Sequence, residues 1–139
     1  IWAQCEGLHW AAEYGEQVFT SGGNLDIPSG VTSIDALLVG GGGYSSSDDW
    51  LFALPSGGGG GGAVIVATGI VVTPLETLTI TVGQGGLGGG GIDIPEAPGS
   101  SEIARGITVL AEAGGGGPGH GPSPGTGGDG GTGELVVGA

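Results

Sequence analysis

Lysine and methionine are missing from the 139 residues, and arginine and cysteine occur once each, as Arg105 and Cys5. Each scarcity removes a class of function. One basic side chain against 14 Asp and Glu gives a formal net charge of −13, so nothing neutralises a phosphate backbone or an anionic lipid surface. Nucleic-acid binding and electrostatic membrane binding are thereby excluded. A single Cys5 cannot close an internal disulfide, and the two histidines, His9 and His120, provide no clustered zinc spacing. Long apolar runs are lacking too. The longest, from Ala63 to Val72, is interrupted by Thr68 and Gly69 and falls well short of the ~20 residues of a spanning helix, so no membrane insertion is expected. The chain opens at Ile1 without a methionine or a basic leader, which points to a processed product or a piece of a longer polypeptide.

Aromatic residues make up 5% of the chain, whereas Val, Ile and Thr are plentiful, so the core is expected to be built from thin strands. Short β-type runs occur at Gln17–Thr20, Ser33–Val39, Ala63–Thr68, Glu76–Val82, Ile107–Leu110 and Leu135–Val137. The clearest is Glu76–Val82, where Thr77, Thr79 and Thr81 alternate with Leu78, Ile80 and Val82, the pattern of a half-buried antiparallel strand. Turn chemistry separates these runs at Ile27-Pro28-Ser29-Gly30 and Thr73-Pro74-Leu75-Glu76. Helical periodicity is confined to residues 2–14, where Trp2, Leu8, Trp10, Ala11 and Tyr14 fit one short helix.

Glycine is what the chain has in excess. It fills 38 positions, against about 7% in an ordinary domain. The runs at 40–43, 57–62, 83–91 and 114–133 begin directly after a strand or lead directly into one, which is not how an interdomain linker is placed. Ordering each glycine costs about 0.5–1 kcal/mol more than ordering alanine, and these runs have no side chains to bury. Backbone hydrogen bonding between neighbouring segments is the compensation on offer. In an extended threefold helix the N–H and C=O groups point outward and cannot pair internally, so several such helices can bond laterally. Pro118, Pro122 and Pro124 in the last run suit that conformation, and the lack of a strict Gly-X-Y period excludes collagen. The expected fold is all-β, a small antiparallel β-sandwich joined to a polyglycine-II helix bundle.

Few residues carry chemistry. Gly83-Gln84-Gly85-Gly86-Leu87-Gly88 satisfies G-x-G-x-x-G after a strand, but the glycines that follow cannot continue as the helix a dinucleotide site needs. Without lysine there is no Walker motif. Asp48-Asp49 is the sole adjacent acidic pair and lacks the spacing of known calcium loops, so it reads as a solvated turn. No Ser or Cys stands in a nucleophile signature. No enzyme, metal or cofactor is implied. Arg105 is expected to pair with one of the many carboxylates.

The glycine runs are interrupted by Tyr44-Ser45-Ser46-Ser47-Asp48-Asp49-Trp50-Leu51-Phe52-Ala53-Leu54-Pro55-Ser56. Rigid aromatics among small polar residues are the composition of a binding loop. A glycine bundle has no interior for Trp50, so two roles fit: contact with a receptor, or a hydrophobic lid over the bundle that can also pack on a neighbouring protomer. A second interruption, from Ile92 to Ser101, contains Ile94 and reads as a rigid proline turn or a companion loop. His120, between Gly119 and Gly121, is a solvated side chain or a pH-dependent contact.

The order Gln17-Val18-Phe19-Thr20, Ile27-Pro28-Ser29-Gly30, Leu38-Val39-Gly40-Gly41-Gly42-Gly43, Ala63-Val64-Ile65-Val66 and Pro74-Leu75-Glu76-Thr77-Leu78-Thr79-Ile80-Thr81-Val82-Gly83-Gln84-Gly85-Gly86 resembles the glycine-rich domain at the distal end of bacteriophage tail fibres, over roughly residues 16–133. Position 75 departs from the pattern, which has glycine there. A fainter similarity is to the glycine-rich extracellular module of certain receptor tyrosine kinases, a source that the missing disulfide framework argues against. The resemblance implies a receptor-binding tip on a fibre shaft, homotrimeric and extracellular, that attaches a virion to a protein or glycan on a bacterial surface. Residues 1–15 then lead from the stalk and residues 16–139 form the tip domain. The residues expected to bind receptor are Tyr44, Asp48, Asp49, Trp50, Leu51, Phe52, Ile94 and His120. The alternative is a structural or adhesive fibre or surface-coat protein of a bacterium with the same fold.

Overall fold

Eight antiparallel strands, with no helix among the described residues, build two sheets. The computed structural model describes residues 3–5, 15–45, 57–87, 97–119 and 127–135. The strands are β1 (Ala3–Cys5), β2 (Gly23–Asp26), β3 (Ser33–Val39), β4 (Val64–Val71), β5 (Thr77–Thr81), β6 (Ser101–Arg105), β7 (Thr108–Ala113) and β8 (Gly133–Leu135). One sheet has the order β1-β3-β4, the other β2-β5-β6-β7-β8. Apolar side chains of β3 to β7 turn inward. Ile34, Ala36 and Leu38 of β3, Ala67 and Ile70 of β4, Leu78 and Ile80 of β5, Ile103 of β6 and Leu110, Ala111 and Ala113 of β7 join a single apolar cluster shared by both sheets. Phe19, in a stretch expected to be a strand, packs half-buried against that core without joining a ladder. Ala3–Cys5 lie where a helix was expected. They form a strand instead because β3 offers a free edge, to which they pair in the register Ala3↔Ala36 and Cys5↔Ile34.

The turn before β5 resolves the anomaly at position 75. Glu76 N–H donates to the Thr73 carbonyl at 3.1 Å, with Pro74 and Leu75 between them, and Leu75 has φ 67°. Proline followed by a residue of positive φ is the geometry of a type II turn, which favours glycine at the second place. Leu75 is exposed, so it gains little packing to offset the strain. Leu75→Gly is expected to stabilise the fold by roughly 1 kcal/mol, the αL penalty less glycine's extra chain entropy. A urea denaturation midpoint checks this.

The one arginine anchors the same end. Arg105 Nε and Nη2 donate to the two Glu76 carboxylate oxygens at 2.8 Å each, and Nη2 also donates to the Val71 carbonyl at 2.8 Å. The expected ion pair therefore ties β4, the β5 turn and β6 together. The Arg105 guanidinium, helped by the Thr73 N–H, holds the Glu76 carboxyl below its usual range against the opposing effect of burial. A depressed folded-state value adds stability that is present above the unfolded value of 4.5 and is lost as pH falls through the folded one. The stability gap between the protein and its Arg105→Gln variant should thus be widest above pH 4.5 and close on acidification. Denaturation series at descending pH measure it.

At the other end of the sandwich six glycine-rich segments leave and return. Segments 40–44, 83–87 and 114–119 run outward from β3, β5 and β7, and segments 57–63, 97–100 and 127–132 run back into β4, β6 and β8. Ser101, buried at the start of β6, joins the two sheets to this layer: its hydroxyl donates to the Val39 carbonyl at 2.6 Å and accepts the Gly83 N–H at 2.9 Å.

Candidate functional site

Segments without side chains must find backbone partners, and here they bond to one another. Gly40 and Gly43 donate to the carbonyls of Ala63 and Gly60; Gly60 and Ala63 donate to those of Gly117 and Gly114; Gly114 and Gly117 donate to those of Thr132 and Asp129. These neighbours run antiparallel. Gly116 and Gly119 donate to the carbonyls of Gly41 and Tyr44, and Gly128 and Gly131 to those of Gly58 and Gly61, in parallel pairs. All these bonds span 2.6–2.9 Å. In each of the five pairings the donors are three residues apart, whereas a sheet ladder repeats every two. Segment 114–119 therefore bonds in three directions, to 40–44, 57–63 and 127–132. Single bonds from Gly41 to Gly99, Gly99 to Gln84 and Gly86 to Gly42 bring in the remaining two segments.

Close approach explains the composition at the centre. A Cβ on Gly116 would overlap the Gly60 carbonyl, and one on Gly60 would overlap that of Asp129, so only glycine fits between these backbones.

The layer sets where inserted chain can emerge. The strand ends that feed it lie in register, Val39↔Val64 in one sheet and Thr81↔Glu102↔Glu112↔Glu134 in the other, so the six segments extend from one side of the sandwich. Their far ends are Ser45 and Gly57, Leu87 and Ala97, and Gly119 and Gly127, the described residues that flank intervals 46–56, 88–96 and 120–126. Bonds near those ends hold the roots together, Gly119 N–H to the Tyr44 carbonyl at 2.8 Å and Gly128 N–H to the Gly58 carbonyl at 2.9 Å. Of the residues expected to bind a receptor, Tyr44 alone is described. It sits half-buried at the root of the first interval. Asp48, Asp49, Trp50, Leu51, Phe52, Ile94 and His120 lie outside the described residues.

The described surface outside this layer is acidic. No group of three His, Cys, Asp or Glu among the described residues could hold a metal ion, and no described helix is long and apolar enough to cross a membrane. Glu102, Glu112 and Glu134 stand directly opposite one another across β6, β7 and β8, a transverse row of like charge that weakens pairing and repels anions. The sequence hid this row because Ser101–Arg105 runs polar, polar, apolar, apolar, polar, with no alternation to mark a strand, and a register shift between Ile103 and Ala104 leaves both of those side chains buried.

Fold and site define an all-β domain whose glycine layer gathers at one end the residues that flank three intervals of the chain. The chain belongs to a family described as the glycine-rich domain, whose family model matches residues 19–138. No curated protein matches it, and no solved structure does.

Proposed function

We propose that this is the receptor-binding tip domain of a bacteriophage tail fibre, a non-enzymatic adhesin that attaches the virion to a protein or glycan on a bacterial surface. The observation that carries the reading is the convergence at one end of the residues that flank intervals 46–56, 88–96 and 120–126. Backbone bonds tie those roots together, so the loops they bear share a preorganised base and lose less entropy on binding. The three-residue repeat of the lateral bonds supports polyglycine-II rods as the conformation of the layer. Within the first interval, Trp50 and Phe52 supply contact area, and Asp48 and Asp49, with Tyr44 at the root, supply adaptable polar groups. Leu51, Ile94 and His120 complete the contact. Several tips on trimeric shafts add avidity without new contacts, at the extracellular end of the fibre.

Virions carrying Trp50→Ala and Phe52→Ala are expected to adsorb to host cells at least tenfold more slowly while the isolated domain keeps its melting temperature, since truncated aromatic anchors cost about 2 kcal/mol or more each. Unchanged adsorption with an intact fold would remove this segment from the contact and leave it the role of a lid.

A further inference from the structure

Asp129–Gly130 is the one place in the sequence where an aspartate or asparagine precedes glycine. The pair lies in segment 127–132, which leads from interval 120–126 into β8, and both residues are exposed. Space around Gly130 is open, since even an added Cβ would meet only the Gly61 carbonyl oxygen, at 3.9 Å. Among the described residues nothing accepts the Gly130 N–H. The chain on either side is tied down. Gly128 and Gly131 N–H donate to the Gly58 and Gly61 carbonyls at 2.9 Å each, and the Asp129 carbonyl accepts the Gly117 N–H at 2.6 Å. That carbonyl also lies hard against Gly60, where an added Cβ would overlap it.

We propose that Asp129–Gly130 is a modification site guarded by the glycine layer, where the peptide link passes from the α-carboxyl of Asp129 to its side-chain carboxyl once segment 127–132 opens. Water is the only co-reactant. The Gly130 nitrogen attacks Asp129 Cγ; the N–Cγ bond forms, the Cγ–OH bond breaks, and water leaves with that hydroxyl and the amide proton. Water then adds to the α-carbonyl carbon of the cyclic imide, and the bond from that carbon to the Gly130 nitrogen breaks. The chain is left joined through Cγ, with the α-carboxyl free and the mass unchanged. Closing the imide ring turns Asp129 about its Cα–C bond, which swings the carbonyl away from the Gly117 N–H, so the folded layer opposes the reaction and local opening admits it. The product cannot refit. Segments 127–132 and 57–63 each advance three residues between their two mutual bonds, and the extra main-chain methylene of the new linkage breaks that match. Gly128 and Gly131 then cannot both regain their acceptors, and the segment that carries the root of interval 120–126 stays loosened. The inference stands whether or not the loops bind a receptor.

Peptide mapping of the whole chain after warm storage tests it. A glutamate-specific protease releases the stretch between Glu112 and Glu134, in which the isomer elutes as a second peak of equal mass. Stored at one pH in buffer or in urea, the unfolded chain is expected to form the isomer at least tenfold faster than the folded one. Gly130→Ala, whose methyl group crowds the attacking nitrogen, should slow the reaction in urea several-fold. The isomerised fraction, separated and returned to buffer, should lack amide-exchange protection at Gly128 and Gly131, whereas wild type unfolded and refolded at once keeps it. Equal rates in buffer and in urea overturn the inference, as does a urea-stored chain that forms no isomer or forms it as fast with alanine at position 130. So does an isomerised chain that regains full protection at both glycines.

Discussion

Gly116→Ala is expected to cost about 4 kcal/mol or more, while Gly61→Ala leaves stability unchanged or raises it by about 0.5–1 kcal/mol. The two glycines belong to neighbouring segments of one layer and differ in what surrounds them. At Gly116 an added Cβ would lie within 3.0 Å of the Gly60 and Gly61 carbonyls, and these are backbone atoms that cannot swing aside. The Gly116 N–H donates to the Gly41 carbonyl at 2.9 Å on another side, so moving the segment away from one neighbour breaks its bond to the next. At Gly61 an added Cβ meets nothing within 4 Å, and its φ lies outside the left-handed region, so alanine is compatible and merely narrows the unfolded ensemble. The same contrast separates Gly60 from Gly58, where the Cβ position is also open. Urea midpoints of the four alanine variants decide the matter. Equal losses at all four positions would mean that the glycines act through chain flexibility and not through close packing.

That contrast also marks how much a reader of the sequence can see. β3 was legible to the residue as a β-type run, and β5 nearly so, because Leu78 and Ile80 alternate with exposed threonines. β2 was not. Gly23-Asn24-Leu25-Asp26 offers one inward apolar side chain among residues depleted in strands, and it is held by its register with β5 and by the bond from Thr77 Oγ1 to Asp26 Oδ1 at 2.6 Å. Tertiary pairing overrides local preference there, as it does at Ala3–Cys5. The pairing of Arg105 was foreseeable from charge alone, but its choice of Glu76 depends on the β5 turn and β6 meeting in space. The glycine layer was legible as a need, since unpaired amides require partners, and illegible as a map: nothing in a run of identical residues states that Gly116 bonds to Gly41 or that Gly60 bonds to Gly117. The site inherits the same limit. Composition singles out the interval with Trp50 and Phe52, and it is the bonding of the flanking glycines that brings its root beside that of the interval containing His120.

Ile103→Ala is expected to be among the most destabilising single truncations in the sandwich, at about 4 kcal/mol, within the 2–5 kcal/mol range for deleting a buried isoleucine side chain to alanine. Ile103 is fully buried in the middle strand of the five-stranded sheet. Its register partners are Ile80 on one side and Ala111 on the other, and a methyl group opposite cannot collapse into the space. Ile107, four residues along the chain and fully exposed in the turn between β6 and β7, serves as the control, with Ile107→Ala staying within about 0.5 kcal/mol. Against a total stability of about 5–15 kcal/mol, the Ile103 variant should melt roughly 10–20 °C lower. The glycine layer should melt with it in one transition. Ser101, two residues before Ile103 on the same strand, holds both the Val39 carbonyl and the Gly83 N–H, so β6 cannot leave the core without releasing the places where two glycine segments begin. Amide hydrogen exchange separates the possibilities: if Gly116 and Gly60 keep their protection at temperatures where Leu78 and Ile80 have lost theirs, the layer stands without the sandwich and this coupling is refuted.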